Sequence, residues 1–197
     1  MIKPLYFNPI EVNRAYLRRV ISESREQEDA DLNVVEDVQE LAPVCKIEEE
    51  LREYIRNAII SRRITHLFVH TTATRQNATV TAIKNYWKNT MGWRNPGYHI
   101  ILPTEGFTVI ADFNTVCNGV KGFNTHGVHI SYIGGIDSNG RATDNRTESQ
   151  ARLIEVFIEE MVKRFPGIKV LGHNEVSSKS CPSFKVKDEY SKYWTGK

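Results

Sequence analysis

At 197 residues, with 40% hydrophobic and 10% aromatic content, the chain is long enough for one domain with a substantial core and some length to spare. A net charge of +2 gives no electrostatic case for a nucleic-acid partner or an anionic membrane surface, and no apolar run reaches the length that would cross a bilayer. The start, Met1-Ile-Lys-Pro-Leu-Tyr-Phe-Asn8, lacks the apolar stretch and small-residue cleavage site of a signal peptide, so synthesis in the cytoplasm is expected. The cysteines, Cys45, Cys117 and Cys181, are odd in number and few, which argues against a disulfide framework. Cys45 and Cys117 read as small buried hydrophobes.

Residues 1–62 are helical in pattern. Asn8-Pro9 is a helix-start signal, followed by Val12, Ala15, Tyr16 and Val20 at helical spacing. Glu23 to Pro43 is an acidic stretch that suits a solvated loop or a surface helix. A helix is predicted from about Lys46 to Ser61, with Ile47, Leu51, Tyr54, Ile55, Ala58 and Ile59 on one face. From Arg63 the pattern alternates strand and helix. A strand is expected over 64–70, a helix near 79–91 carrying Val80, Ile83, Tyr86 and Trp87, and a strand over 97–102. The turn Thr104-Glu-Gly106 makes a hairpin with 107–110. Another strand, His126 to Tyr132, runs into Gly134-Gly135. Thr147-Glu-Ser-Gln150 is a capping box for a helix to about Phe165, with Ile154, Ile158, Met161 and Phe165 on its buried face. Pro166-Gly167 ends that helix before a strand over 168–172 and a short closing helix around Phe184 to Trp194. The triplets at Asn77 and Asn145 read as helix caps. Together these elements predict an α/β fold, a mixed central sheet flanked by helices.

The chemistry concentrates in one stretch, His173-Asn-Glu-Val-Ser-Ser-Lys-Ser-Cys-Pro-Ser183, directly after an apolar strand. It offers an imidazole, an ammonium and a thiol at close range. Nitrogen and thiolate are zinc ligands, and a catalytic zinc site uses three protein ligands with a fourth position for water. His70, at the end of strand 64–70, is the best candidate for the third ligand. Thr71-Thr-Ala-Thr74 after it are small polar residues suited to a loop that approaches a ligand. His66, His99, His126 and His129 have no such company and read as structural.

Val69-His-Thr-Thr-Ala-Thr74, Gly92-Trp93, Gly97-Tyr-His99, Gly134-Gly-Ile-Asp137 and the segment from His173 to Phe184 together resemble the type 2 zinc-dependent N-acetylmuramoyl-L-alanine amidases. The phage endolysins are the nearer likeness and the peptidoglycan recognition proteins the more distant one. The resemblance spans about residues 63–195. It implies a zinc amidase domain over 63–197, with residues 1–62 as a helical N-terminal extension packing on it. It assigns the metal Zn2+ to His70, His173 and Cys181, catalytic roles to Tyr98 and Lys179, and substrate contacts to Thr71, Thr72 and Asn124. The implied partner is peptidoglycan or a muropeptide, with no nucleic acid and no membrane insertion, and the expected state is a monomer. The enzyme would reach the wall through a membrane pore made by another protein.

Two departures stand out. Some members carry a glutamate base on the strand before the Gly-Gly pair, where Ser131 stands here. Many carry a histidine just before the segment matching Val120-Lys-Gly-Phe-Asn124, where Gly119 stands. Three other readings stay open on sequence alone. One is a binding module that holds muropeptide without cutting it, although members without catalysis typically lack the cysteine. The second is a zinc peptidase cutting another amide of the stem peptide. The third is a regulatory role added to the amidase.

Overall fold

The computed structural model describes residues 34–193, with side chains from residue 46 on. Apart from the start of the first helix, the described residues fall in one compact unit, Ala42–Lys197. The helix expected after Asn8-Pro9 lies outside the described residues.

Helix α1 spans Val34–Asn57. It begins well before Lys46, because Glu and Gln are good helix formers and an acidic composition does not by itself oppose a helix. It ends at Asn57 rather than near Ser61. There the Arg164 guanidinium donates to the carbonyl of Ile55, to that of Arg56 at 3.2 Å and to that of Ala58, satisfying acceptors that a helix end leaves open. Ile59 therefore falls beyond the helix, off its apolar face, and is 87% exposed, whereas Leu51 and Ile55 are fully buried.

Five strands form one mixed sheet in the order β3-β2-β4-β1-β5. They are β1 (His66–Thr71), β2 (Ile100–Leu102), β3 (Thr108–Val109), β4 (Gly127–Tyr132) and β5 (Lys169–Gly172). β1 pairs in parallel with β4 and β5, and β2 in parallel with β4; β3 returns antiparallel on β2 as the hairpin. Successive side chains on a strand point to opposite faces. Leu67, Val69, Ile100, Leu102, Val128, Ile130, Tyr132 and Val170 share one face, in a core with Leu51 and Ile55 of α1 and with helix α3 (Glu148–Arg164). The alternate positions Phe68, His70, His129 and Ser131 lie on the other face, where the chemistry gathers. Further along that side, Ile101 and Ile133 pack with Ile83 and Trp87.

Helix α2 (Val80–Asn85) runs into a π turn, Tyr86–Thr90. In this stretch Trp87 is buried and Tyr86 is 55% exposed. The caps belong to the threonine of each Asn-x-Thr triplet, not the asparagine. Thr79 Oγ1 accepts from the Ala82 amide, and Thr147 and Gln150 form the expected capping box. Asn145 instead ties the Gly-Gly turn, accepting from the Gly135 amide and donating to the Ile136 carbonyl. Gln150, fully buried, also donates to the carbonyls of Leu102 and Ile133, fixing the start of α3 at the ends of two strands. The last helix, α4, is short, Val186–Glu189, and Trp194 lies outside the described residues. Among those residues no helix is long and apolar enough to cross a membrane.

α1 and α3 are also joined by charge. Glu160 of α3 is 4% exposed and accepts from Arg52 at 2.8 Å, from Arg56 at 2.9 Å and from Lys163 at 3.1 Å. The Arg56 hydrogen bond, with help from Lys163 and Arg52, holds its carboxyl down at about 2, against an ordinary 4.5. A depressed carboxyl stabilises the fold above its unfolded value and loses that contribution as pH falls from about 4.5 towards 2. Glu160→Gln should therefore cost on the order of 2–3 kcal/mol at pH 7, and the difference from wild type should shrink towards pH 2. Urea unfolding of both proteins at several pH values checks this.

Candidate active site

The strand pattern places His70 at the C-terminal end of the central strand β1, and a short 3₁₀ turn, His173–Glu175, places His173 directly after β5. Because β1 and β5 run parallel and adjacent, both imidazoles emerge at the same end of the sheet. Their rings stand edge to face with centroids 5.0 Å apart. The loop after the turn returns Cys181 to this point, with its Sγ 3.6 Å from His70 Nδ1. One ligand atom from each of His70, His173 and Cys181 lies within 4.8 Å of the others, an arrangement that can hold a metal ion.

The loop is held by residues that pattern reading passed over. The Asn174 amide donates to the Cys181 carbonyl at 2.6 Å, and its side chain donates to the Phe184 carbonyl at 2.9 Å. Glu175 accepts from the Gly172 amide at 2.5 Å. Tyr132, from the opposite face of β4, donates to the Pro182 carbonyl at 2.7 Å. A polar residue beside a ligand carries no sequence signature of its own, although two of these, Asn174 and Glu175, directly follow His173.

The two imidazoles are in the form that can coordinate a metal. Burial, with the neighbouring His129 and His173, pushes His70 well below its ordinary pKa. Burial and then Lys179 bring His173 to about 4. Both rings are therefore neutral at pH 7 with a lone pair to offer. Burial pushes the Cys181 thiol up to about 11, opposed by the Thr71 amide, which donates to Sγ at 3.3 Å, and by Lys179. A metal ion would turn that balance by binding the thiolate.

Tyr98 packs on His70 with ring centroids 4.9 Å apart. Its hydroxyl donates to the Thr71 carbonyl at 3.3 Å, and burial raises its pKa. Lys179 is exposed and has no ion pair among the described residues, yet its charge reaches all three candidate ligands. Thr71 is 3% exposed and donates its hydroxyl proton to the Gly134 carbonyl at 2.6 Å. A Cβ on Gly135 would stand 2.1 Å from that hydroxyl, so glycine is required for the close approach. The Thr72 hydroxyl accepts from the Gly134 amide, and Asn124 Oδ1 accepts from the Val120 amide at 2.7 Å. Ser131 is fully buried opposite His70 in the β1–β4 register. Cys117 is buried as expected, and the side chain of Cys45 lies outside the described residues.

Residues 60–184 match the N-acetylmuramoyl-L-alanine amidase family. The chain belongs to that family. The endolysin of Klebsiella phage KP32 is 33% identical over 129 residues, covering 64% of this chain and 85% of the relative. The endolysin of Escherichia phage T7 is 34% identical over 130 residues, with the same coverage. Among solved structures, the Ph2119 endolysin from the Thermus scotoductus MAT2119 bacteriophage superposes with a TM-score of 0.57 at 20% identity, covering 68% of this chain and 87% of its own. Drosophila PGRP-LB superposes with a TM-score of 0.54 at 17% identity, covering 67% and 82%. At such identities the superpositions speak for the fold: the mixed sheet with flanking helices is that of the phage amidases and the peptidoglycan recognition proteins. The sequence and family matches make the amidase an N-acetylmuramoyl-L-alanine amidase acting on peptidoglycan, in which His70, His173 and Cys181 can hold a metal.

Proposed function

We propose that the amidase is a zinc enzyme whose ligands are His70, His173 and Cys181, with Lys179 and Tyr98 as its catalytic side chains and Thr71, Thr72 and Asn124 along the substrate path. The 3.6 Å separation of His70 Nδ1 from Cys181 Sγ carries the reading. Tetrahedral zinc, with its bonds of about 2.3 Å to sulfur and about 2.0 Å to nitrogen, sets those two atoms roughly 3.5 Å apart. Soft thiolate beside two imidazoles also selects zinc over calcium or magnesium. When bound, zinc supplies Lewis-acid activation of water and of the scissile carbonyl at neutral pH.

The chain's own groups do the rest. The Lys179 ammonium, exposed in the ligand loop and without an ion pair among the described residues, is available to stabilise the negative charge that develops on the amide oxygen. Burial raises the Tyr98 pKa, so its hydroxyl, which donates to the Thr71 carbonyl, acts as a hydrogen-bond donor beside the ligand His70 and not as the base. The Thr71 amide donates to Cys181 Sγ and favours the thiolate. The bond cut is the amide between the lactyl group of N-acetylmuramic acid and L-alanine. A peptidoglycan partner agrees with the folds it resembles, one of which, a Drosophila PGRP-LB variant, is solved in complex with tracheal cytotoxin. The presence of Cys181 favours this reading over a binding module.

Mass spectrometry of a muropeptide digest should find free L-alanine amino termini. Chelation should stop the reaction and zinc should restore it. Cleavage at another amide would make the enzyme a stem-peptidase, and cleavage by metal-free protein would remove the zinc.

Residues 1–62 would act as an extension separable from the chemistry only up to the helix face that packs on the core. Deleting Met1–Leu41 should leave muropeptide cleavage intact. Deleting 1–62 also strips Leu51 and Ile55 from the core, a loss of about 3–6 kcal/mol at about 1.5–3 kcal/mol per fully buried side chain. Thermal midpoints and cleavage rates of the two truncations check the division. A folded, metal-loaded but inactive short deletion would place the extension in the substrate groove.

A further inference from the structure

We propose that His129, on the neighbouring strand β4, is a positioning residue for His70, accepting a hydrogen bond that turns the His70 Nδ1 lone pair towards the metal. The proposal rests on the zinc reading above. His70 Nε2 and His129 Nδ1 are 3.1 Å apart, and both rings are fully buried. The two nitrogens of His70 thus have separate partners, Nδ1 the Cys181 sulfur and Nε2 His129. A neutral imidazole carries one N–H. If Nδ1 is to bind a metal, the proton must sit on Nε2, and His129 Nδ1 is the acceptor waiting for it. Such a partner fixes both tautomer and ring orientation of a ligand histidine.

The surroundings of His129 are arranged for this bond. Its ring lies between two others, parallel to Phe68 at 5.5 Å and 12° and to His99 at 5.7 Å and 11°. Its backbone N–H donates to His99 Nδ1 at 3.0 Å, which leaves His99 Nε2 to donate to the Thr115 carbonyl at 3.0 Å. His99 is thereby locked in one tautomer and holds the strand in place beneath the ring. His129 Nε2, by contrast, is buried with no hydrogen-bond partner among the described residues. Among the described residues, the bond to His70 is therefore the ring's one hydrogen bond. A buried polar group with so little compensation is a costly way to fill space that an aliphatic side chain would fill more cheaply.

Gly119 makes the second observation. A Cβ there would fall 2.3 Å from His129 Nδ1 and 2.6 Å from its Cγ. Gly119 is not among the glycines with positive φ, so its backbone does not call for glycine. What requires glycine is the imidazole. The departure noted at this position is thus one half of a pair, with the ring from β4 occupying the room that the missing side chain leaves.

The test is zinc affinity, measured on the full-length metal-free protein by competition with a chromophoric chelator, with the thermal midpoint of the metal-free form alongside. His129→Leu fills the volume and lacks an acceptor; it should bind zinc about 10- to 100-fold more weakly. His129→Asn places Oδ1 near the position of Nδ1 and should stay within a few-fold of wild type. Gly119→Ala, which displaces the ring, should weaken zinc in the same direction as His129→Leu. ¹⁵N spectra of His70 should show the Nε2–H tautomer in wild type and a mixture in His129→Leu. Wild-type affinity in all three variants would overturn the proposal. So would equal losses in Leu and Asn with equal falls in thermal midpoint, or an Nδ1–H tautomer in wild type. A wild-type protein that binds no zinc would instead overturn the metal reading beneath it.

Discussion

Cys181→Ser is expected to strip the site of metal and abolish cleavage. A hydroxyl is a much weaker zinc ligand than a thiolate, since it must be deprotonated from a far higher pKa to coordinate comparably. Residues that merely support a ligand are worth about 10- to 100-fold in affinity, so removing a ligand should exceed about 100-fold. The fold should survive, because the loop's bonds through Asn174 and Tyr132 use backbone carbonyls and not the sulfur. Metal content after dialysis, with muropeptide turnover on the same sample, measures both effects. Stoichiometric zinc and full turnover in this variant would take Cys181 out of the site.

Lys179→Ala should leave the metal in place and lower turnover by about 100- to 1,000-fold, roughly 3–4 kcal/mol, the usual consequence of losing one charge-stabilising group at a developing oxyanion. The expected signature is a fall in kcat with little change in KM, since the interaction strengthens as charge appears on the oxygen. Removing the ammonium also relieves the positive field on His70 and His173, so metal affinity should hold or rise. A variant that turns over normally would make Lys179 a solvated surface residue.

Much of this was legible before the structure. The helix from Thr147 was legible because its capping box and apolar spacing agree and nothing interrupts them. The cluster of His70, His173 and Cys181 was legible because His173 and Cys181 are close neighbours in the chain and His70 stands at a strand end. Strand order was not, since periodicity reports which face a residue takes and not which strand lies beside it. Ile59 falls off the expected face because helical phase does not continue past the point where an outside guanidinium meets the helix end. The surroundings of His129 are not legible in the sequence, because they come from residues distant in the chain, His70 across a strand pair and Gly119 in a loop.

The position of β5 has one more implication. It is a four-residue strand at the margin of the sheet, while β1, which carries His70, is internal. An ion shared by His70 and His173 would rivet that margin to the interior and close a chain loop of roughly a hundred residues, where a cross-link has most to gain from restricting the unfolded chain. The catalytic ion would then be a structural fastener as well. Activity lost on chelation would combine missing chemistry with a loosened sheet border, and zinc concentration would set the enzyme's heat tolerance along with its rate.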